Sequence, residues 1–185
     1  MRPLSERLAS GDEEAFQALY DQCARSLYRY LVSKTRSAEM AADVLQEAFM
    51  RAVRFRDRLR DVDSLEAWLF TVARREADRL LARSNRTGHQ QLSETKCVLF
   101  ADESAQSMLD DRDEIEVALS ALTTATREIL ELHFYGGLTF REIATVTQTP
   151  QGTVATRYPS AIATLQRQLN ANAVPDSQSE DEANK

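Results

Sequence analysis

Apolar residues recur at helical spacing in three stretches of the first 83 residues. Their positions are Phe16, Leu19, Tyr20, Cys23, Leu27, Tyr30 and Leu31, then Ala41, Val44, Leu45, Ala48, Phe49, Ala52 and Val53, then Leu65, Trp68, Leu69, Val72, Ala73, Leu80 and Leu81. Intervals of three and four residues place each set on one face of a helix. Ser10-Gly-Asp-Glu13 is typical of a capping box with Ser10 as the N-cap. Three such helices can bury a shared core, so residues 1–83 are predicted to form one helical domain.

The helical pattern stops after this domain and resumes near residue 114. Residues 84–113 are rich in Asn, Thr, Gly, Gln, Ser and acidic residues, which predicts a flexible interdomain linker interrupted by one apolar island, Cys97-Val-Leu-Phe100. Residues 114–170 carry apolar positions at helical spacing again, with a break at Gly136-Gly137. The polar, acidic tail 171–185 is predicted to be disordered.

Residues 139–169 have the spacing of a helix-turn-helix. Thr139-Phe-Arg-Glu142 is typical of a capping box that opens a short helix, and a second helix with a polar first turn follows Thr149-Pro150. In a helix-turn-helix the second helix enters the major groove and presents its N-terminal residues to base edges. A plain helical hairpin is the alternative that spacing alone leaves open. The predicted fold class is therefore all-α, with two small helical domains joined by a flexible linker and a helix-turn-helix in the C-terminal one.

Composition narrows the class of protein. Only 5 glycines and 4 prolines occur in 185 residues, which favours helices. No apolar run approaches the ~18 to 20 residues that a membrane-spanning helix needs, and no signal peptide is evident. Cys23 and Cys97 lack metal-ligand spacing and fit free thiols, so we predict a cytoplasmic protein without a membrane partner.

No residue pattern indicates catalysis. His89 lies in the predicted linker and His133 on an apolar helix face, and neither has the spacing of a Ser/His/Asp, Cys/His or metal site. We therefore predict that the protein is not an enzyme and uses no metal, cofactor or small-molecule substrate.

The charge distribution is uneven along the chain. A net charge of −6 is unlike that of a nucleic-acid-binding protein, but residues 84–113 alone carry 6 acidic and 3 basic residues. Two basic clusters lie apart from this acid, comprising Arg51, Arg54, Arg56, Arg58 and Arg60, then Arg74, Arg75, Arg79, Arg83 and Arg86. Such clusters are natural phosphate contacts. The alternative is a solvated surface balanced by Asp57, Asp61 and Asp63.

Four motifs, in this order, resemble those of the extracytoplasmic-function sigma factors of the sigma-70 family. Residues 43–49 (DVLQEAF) resemble the polymerase-docking helix, and residues 67–74 (AWLFTVAR) resemble the segment that melts and reads the −10 promoter element. Residues 119–135 resemble the helices that precede the −35-reading region. Residues 138–144 (LTFREIA) and 152–157 (GTVATR) resemble the −35-reading region itself.

The resemblance implies a sigma factor that binds core RNA polymerase and promoter DNA, with an anti-sigma factor as a further candidate partner. Residues 1–83 would be a region 2-like domain for polymerase docking and for −10 recognition and melting. Residues 84–113 would be an acidic linker and residues 114–170 a region 4-like domain for −35 recognition. Residues 171–185 would form an acidic tail.

Two sets of binding residues follow from the resemblance. The candidate polymerase-binding residues are Asp43, Gln46 and Glu47, which share one helix face, although a merely solvated acidic face is the alternative. The candidate DNA-binding residues are Arg51, Arg54, Arg56, Arg58, Trp68, Arg74 and Arg75 in the first domain, and Arg141, Thr153, Thr156, Arg157 and Ser160 in the second. For Trp68 we favour packing in the core over stacking on a base.

The second helix of the helix-turn-helix departs from the family. Ala155 and Ser160 stand where the family usually has basic residues, which predicts weak −35 recognition. Pro159 lies inside this helix, where proline costs about 3 kcal/mol if unrelieved. We therefore expect either a kink near Ala155 or a shorter regular helix.

Two other classes of regulator remain open. A stand-alone helix-turn-helix regulator would explain the C-terminal domain, but not the docking motif or the arginine-rich segment. A sigma-like protein that binds polymerase or an anti-sigma factor, yet initiates poorly, would explain the depleted recognition helix.

Overall fold

The structure is a computed structural model that describes residues 2–87 and 117–172, and all the regular secondary structure in these ranges is helical. The N-terminal bundle comprises α1 (Leu4–Ala9), α2 (Glu13–Thr35), α3 (Ala38–Arg54), a 3₁₀ helix (Arg56–Asp61) and α4 (Leu65–Thr87). The C-terminal unit comprises a helical turn at 117–120, then α5 (Thr124–Phe134), α6 (Phe140–Thr147) and α7 (Gln151–Asn172). The predicted all-α class is confirmed. Most of the predicted linker, with His89 and Cys97, and the tail from residue 173 lie outside the described residues.

The start of the N-terminal bundle differs from the prediction. A short helix, α1, precedes α2 and buries Leu8 completely. The N-cap of α2 is Asp12, whose carboxylate accepts hydrogen bonds from the backbone N–H groups of Glu14 (3.0 Å) and Ala15 (3.3 Å). The predicted capping box at Ser10 is wrong, because Ser10 ends α1 and donates its hydroxyl to the Arg7 carbonyl.

The core of the N-terminal bundle lies between α2, α3 and α4. All four buried residues of α3 are alanine or valine, and small side chains let neighbouring helices approach closely. The larger side chains come from the other two helices, and the fully buried ones are Leu19, Leu27, Tyr30, Leu31, Leu69 and Phe70. Burial contributes about 1.5–3 kcal/mol for each large apolar side chain. This core holds the two helices that carry the predicted docking and −10 motifs.

The predicted helix-turn-helix is present as α6 and α7. The Thr139 capping box is confirmed, since the Thr139 N–H donates to Glu142 Oε2 (2.8 Å) and the Glu142 N–H donates to Thr139 Oγ1 (3.3 Å). Gln148 ends α6 in the left-handed conformation, with φ at 55°. Buried Val146 and Val154 belong to the cluster that joins the two helices.

Helix α7 continues through Pro159 to Asn172, so the shorter helix of the two expected alternatives is excluded, and a kink near Ala155 stays a prediction. Pro159 is exposed, and so is Ala155, whose carbonyl loses its usual helical donor to the proline. One turn away, the Ser160 hydroxyl donates to the Thr156 carbonyl (3.0 Å). A solvent-facing proline therefore leaves the helix intact.

The two units pack against each other. Helix α5 contacts α2, and α6 contacts α4. Ile129, Leu132 and Leu138 belong to the same apolar cluster as the core of the N-terminal bundle. At Gly136 the approach is close, because a methyl group there would lie 3.0 Å from Phe70 Cζ.

Candidate docking and nucleic-acid surfaces

An open apolar groove runs between the outer faces of α2 and α3. Its volume is about 450 Å³, and its lining residues are Tyr20, Tyr28, Ala42, Leu45, Gln46, Phe49, Met50 and Val53. The rings of Tyr20 and Phe49 lie 5.0 Å apart, and Met50 is 48% exposed. Large apolar side chains left open to water in one patch are typical of a surface that binds another molecule. We call this feature the α2–α3 groove.

The structure sets Glu47 apart from the other two predicted polymerase-binding residues. Gln46 lines the α2–α3 groove and Asp43 is exposed one turn before it. Glu47 instead accepts hydrogen bonds from Arg51 (2.9 Å) and Arg54 (3.4 Å). The hydrogen bond from Arg51 and the charges of both arginines hold the pKa of Glu47 below its ordinary value, against the effect of desolvation.

Leu45 and Phe49 have two roles. Both pack against the core, as the helical spacing predicts, and both are only half-buried and also line the groove. Their apolar character therefore serves an open surface as well as the core.

The first arginine cluster is partly tied into the bundle. Arg51 donates to Glu76 of α4 (2.8 Å), a carboxylate that is 4% exposed and also accepts from Arg79. Arg54 is more exposed, and the Arg58 guanidinium lies 5.7 Å from the centre of the Phe55 ring. Arg56 is exposed at the start of the 3₁₀ helix.

The predicted −10-reading residues on α4 have different surroundings. Arg75 is exposed to solvent, whereas Trp68 is half-buried and packs against the core. Arg74 forms a bidentate pair with Glu128 of α5, with Nε to Oε1 at 3.0 Å and Nη2 to Oε2 at 3.1 Å. The three residues therefore do not form one surface.

Glu128 lies at the centre of a charged cluster between the two units. Besides Arg74, it accepts hydrogen bonds from Lys34 Nζ (2.7 Å) and from the Tyr30 hydroxyl (2.9 Å), and Lys34 also pairs with Asp78 (2.9 Å). Burial acts to raise the pKa of Glu128, but the hydrogen bond from Arg74 and the charge of Lys34 hold it below the ordinary value. Burial, followed by the charge of Glu128, raises the pKa of Tyr30 well above its usual range.

Sequence reasoning missed this cluster. Glu128 is 8% exposed and Glu131 6%, although both are charged. Glu131 accepts from Arg127 (2.7 Å) and from the Ser33 hydroxyl of α2 (2.6 Å). The available signal was two acidic residues flanking the apolar pair Ile129 and Leu130, which does not identify their partners.

The predicted −35-reading residues lie on α6 and the first half of α7. Arg141, Thr156, Arg157 and Ser160 are exposed, and Thr153 is half-buried. Tyr158 turns inward, where its ring lies 4.7 Å from His133 and 5.2 Å from Phe140. His133 Nδ1 lies 2.8 Å from the Leu138 carbonyl oxygen, as expected for a structural histidine.

Three remaining features concern metal, thiol and membrane chemistry. Within residues 2–87 and 117–172, no group of three His, Cys, Asp or Glu side chains is arranged to hold a metal ion. Burial, with the charge of Glu66, raises the pKa of the Cys23 thiol to about 12. None of the helices in these two ranges combines the length and apolarity needed to cross a bilayer.

Two family models match the chain. Residues 19–87 match Sigma-70 region 2, and residues 112–165 match Sigma-70, region 4. The first match covers the α2–α3 groove and the arginine clusters, and the second covers the helix-turn-helix.

Named relatives agree with these matches. The chain is 33% identical over 165 residues to the ECF RNA polymerase sigma factor SigL of Mycobacterium tuberculosis, covering 87% of this chain and 92% of SigL. It is 31% identical over 165 residues to the RNA polymerase sigma-H factor of Pseudomonas aeruginosa, covering 83% and 86%. The solved structure of CnrH in complex with the cytosolic domain of CnrY matches with a TM-score of 0.64 at 25% identity, covering 92% of this chain and 97% of CnrH.

Proposed function

The chain belongs to the extracytoplasmic-function group of the sigma-70 family, and from this premise we propose which of its surfaces bind polymerase and which bind promoter DNA. It is a sigma factor that binds core RNA polymerase and directs promoter-specific initiation, with region 2 reading and melting the −10 element and region 4 reading the −35 element. We assign residues 1–83 to region 2, 84–113 to an acidic linker, 114–170 to region 4 and 171–185 to an acidic tail.

The α2–α3 groove carries the docking proposal. It presents exposed Tyr20, Met50 and Val53 beside the polar groups of Asp43 and Gln46. An apolar centre with a polar rim is the usual anatomy of a protein–protein interface. The family resemblance implies the coiled coil of the largest polymerase subunit as the occupant. Glu47 would act indirectly, by orienting Arg51 and Arg54.

Placing a charge in the groove tests this assignment. Met50→Glu adds an acidic group to a half-exposed apolar position of α3, so the fold is retained while the apolar contact is lost. We expect at least about tenfold weaker binding to core polymerase, since burying an unpaired charge costs well over 1.4 kcal/mol. Fluorescence anisotropy of the labelled full-length chain, titrated with core enzyme, measures the affinity.

The matched control is Ala18→Glu, which adds the same charge at an exposed position on the other side of α2. Its affinity for core enzyme should stay within about twofold of the wild type. Equal affinities for the two variants would exclude the groove as the docking site.

We propose that region 2 contacts promoter phosphates mainly through exposed arginines, Arg54, Arg56, Arg58 and Arg75. Arg51 and Arg74 are held by carboxylates and need rearrangement before they contact DNA. Trp68 supports the core rather than a base. In region 4, Thr153, Thr156 and Ser160 would supply hydroxyl contacts beside Arg141 and Arg157. Two cations give a salt slope of only about 2 in log affinity, which supports weak −35 recognition.

Run-off transcription with core enzyme and a promoter library tests the whole function. We expect sequence-selective starts that require both core polymerase and this chain. A stand-alone helix-turn-helix regulator would instead retard DNA in a gel without polymerase, and a poorly initiating sigma-like protein would bind core enzyme without producing starts. As an initiation factor the protein would lack catalytic activity of its own and act in the cytoplasm.

We also propose a protein partner that binds the chain away from polymerase. CnrH, its solved relative, is in complex with the cytosolic domain of CnrY. If this partner is an anti-sigma factor, it should block binding to core enzyme, and competition in the anisotropy assay measures that effect.

A further inference from the structure

Glu128 engages Arg74 as a DNA phosphate would. The two carboxylate oxygens accept from Nε and Nη2 of the guanidinium at 3.0 and 3.1 Å. This bidentate geometry is the one that arginine uses for phosphate as well as for carboxylate. Lys34 and Tyr30 complete the coordination of the same carboxylate, at 2.7 and 2.9 Å.

The arrangement leaves Arg74 little capacity for a second anion. Its side chain is 22% exposed, and that of Lys34 is 12% exposed. Glu128 is itself fixed on α5, which contacts α2, while α6 lies against α4. Because Glu128 is 8% exposed and lies between the two units, we expect it to leave Arg74 only when the C-terminal unit moves with it.

We propose that Glu128 is an intramolecular competitor for DNA. It holds the C-terminal unit against the N-terminal bundle and leaves Arg74 available to promoter DNA only when the two units separate. The inference rests on the proposed function in one respect, namely that Arg74 contacts DNA.

The coupling is reciprocal, because separation and DNA binding use the same guanidinium. DNA bound at Arg74 favours the separated form. The apparent affinity for DNA is the intrinsic affinity multiplied by the fraction of molecules that are separated, so the packed form lowers it. The contact is also polar elsewhere, since the Ser33 hydroxyl donates to Glu131 (2.6 Å) and accepts from Arg127 (3.2 Å). Phe70 beside Gly136 adds an apolar contact that does not depend on Glu128.

The first test measures separation without DNA or polymerase. Donor and acceptor dyes are attached to the full-length chain through Glu39→Cys on α3 and Gln166→Cys on α7, both exposed positions, with Cys97→Ser to remove a competing thiol. Cys23 is buried with a pKa raised to about 12, so it is not labelled. Glu128→Gln should lower the transfer efficiency.

The matched control is Glu13→Gln, which makes the same charge change at an exposed position in the first turn of α2 and should leave the efficiency unchanged. Tyr30→Phe is a second variant, because it removes one hydrogen bond to Glu128 without changing the charge. It should shift the efficiency in the same direction as Glu128→Gln. Circular dichroism checks that each variant keeps its helices.

The second test measures DNA affinity with a fluorescein-labelled single-stranded 20-mer. Glu128→Gln should bind it about tenfold more tightly than Glu13→Gln, and Arg74→Gln in the Glu128→Gln background should remove that gain. Equal transfer efficiencies for Glu128→Gln and Glu13→Gln would overturn the inference, and so would separation without a gain in affinity. A gain that survives Arg74→Gln would also overturn it.

The two proposals fail in different measurements. The change in transfer efficiency requires neither promoter nor polymerase, whereas the sigma function is lost only if core-dependent starts are absent from the transcription assay.

Discussion

Glu76 is a buried carboxylate on which two arginines of the N-terminal bundle depend, and its neutralisation should destabilise the fold. It is 4% exposed and accepts from Arg51 (2.8 Å) and Arg79 (3.1 Å). Glu76→Gln keeps the shape of the side chain but removes its charge. The Arg51 contact, one-third exposed, is worth about 1.5–3 kcal/mol as a charge-assisted hydrogen bond before screening, and the half-exposed Arg79 contact about 0–1 kcal/mol. A neutral hydrogen bond remains, so we expect a net loss of about 1–2 kcal/mol in the free energy of unfolding.

Urea unfolding of the full-length chain, followed by circular dichroism, measures this loss as a lower midpoint at constant slope. Arg79→Gln is the matched control, because it removes the exposed partner and leaves the Arg51–Glu76 pair in place. The control should lose less than about 1 kcal/mol. If Glu76→Gln lost no more than Arg79→Gln, the buried pair would contribute nothing, and Arg51 would be as free for DNA as Arg54.

Two further changes test other parts of the structure. Pro159→Ala should stabilise the chain by up to about 3 kcal/mol, because it restores a helical hydrogen bond at an exposed position where the ring makes no core contact. An unchanged urea midpoint would mean that α7 already compensates for the lost hydrogen bond and the steric clash of the proline. Acid should separate the two units. The pKa of Glu128 is held below its ordinary value of 4.5, so the ionised carboxylate stabilises the packed form fully above that pH. This stabilisation is lost as the pH falls through the lowered pKa. Transfer efficiency between the dyes should therefore drop in acid, and Glu128→Gln should show no such drop.

The helices were predictable from the sequence because apolar spacing is a local signal. The stretches beginning at Phe16, Ala41 and Leu65 became α2, α3 and α4, and the Thr139 capping box formed as expected. The wrong prediction of Ser10 as the N-cap of α2 also has a local cause. Two oxygen-bearing side chains, those of Ser10 and Asp12, compete to cap the same helix, and Gly11 with φ at 78° lets the chain turn so that Asp12 takes the position.

The binding surfaces were less predictable because their partners are distant in sequence. Helix spacing places Glu47 on one face with Asp43, but Glu47 accepts hydrogen bonds from Arg51 and Arg54, one and two turns later. The contact between Arg74 and Glu128 joins residues 54 positions apart across the predicted linker. Helical periodicity indicates which face of α5 is apolar, but it carries no information on which cations meet an acidic residue on that face.

The positions of the two proposed sites impose an order on assembly with polymerase. The α2–α3 groove is open in the packed form, since it is lined by residues of α2 and α3 alone. Docking on polymerase therefore does not require the units to separate. Contact between Arg74 and DNA does require it. Region 4 supplies little DNA-binding free energy towards that step, since Arg141 and Arg157 are the exposed cations on α6 and the first half of α7. The free energy of separation has to come mainly from contacts that form only in the polymerase–promoter complex. For that reason the Glu128→Gln variant should gain more on free single-stranded DNA than on DNA presented with core enzyme, where those contacts already favour the separated form.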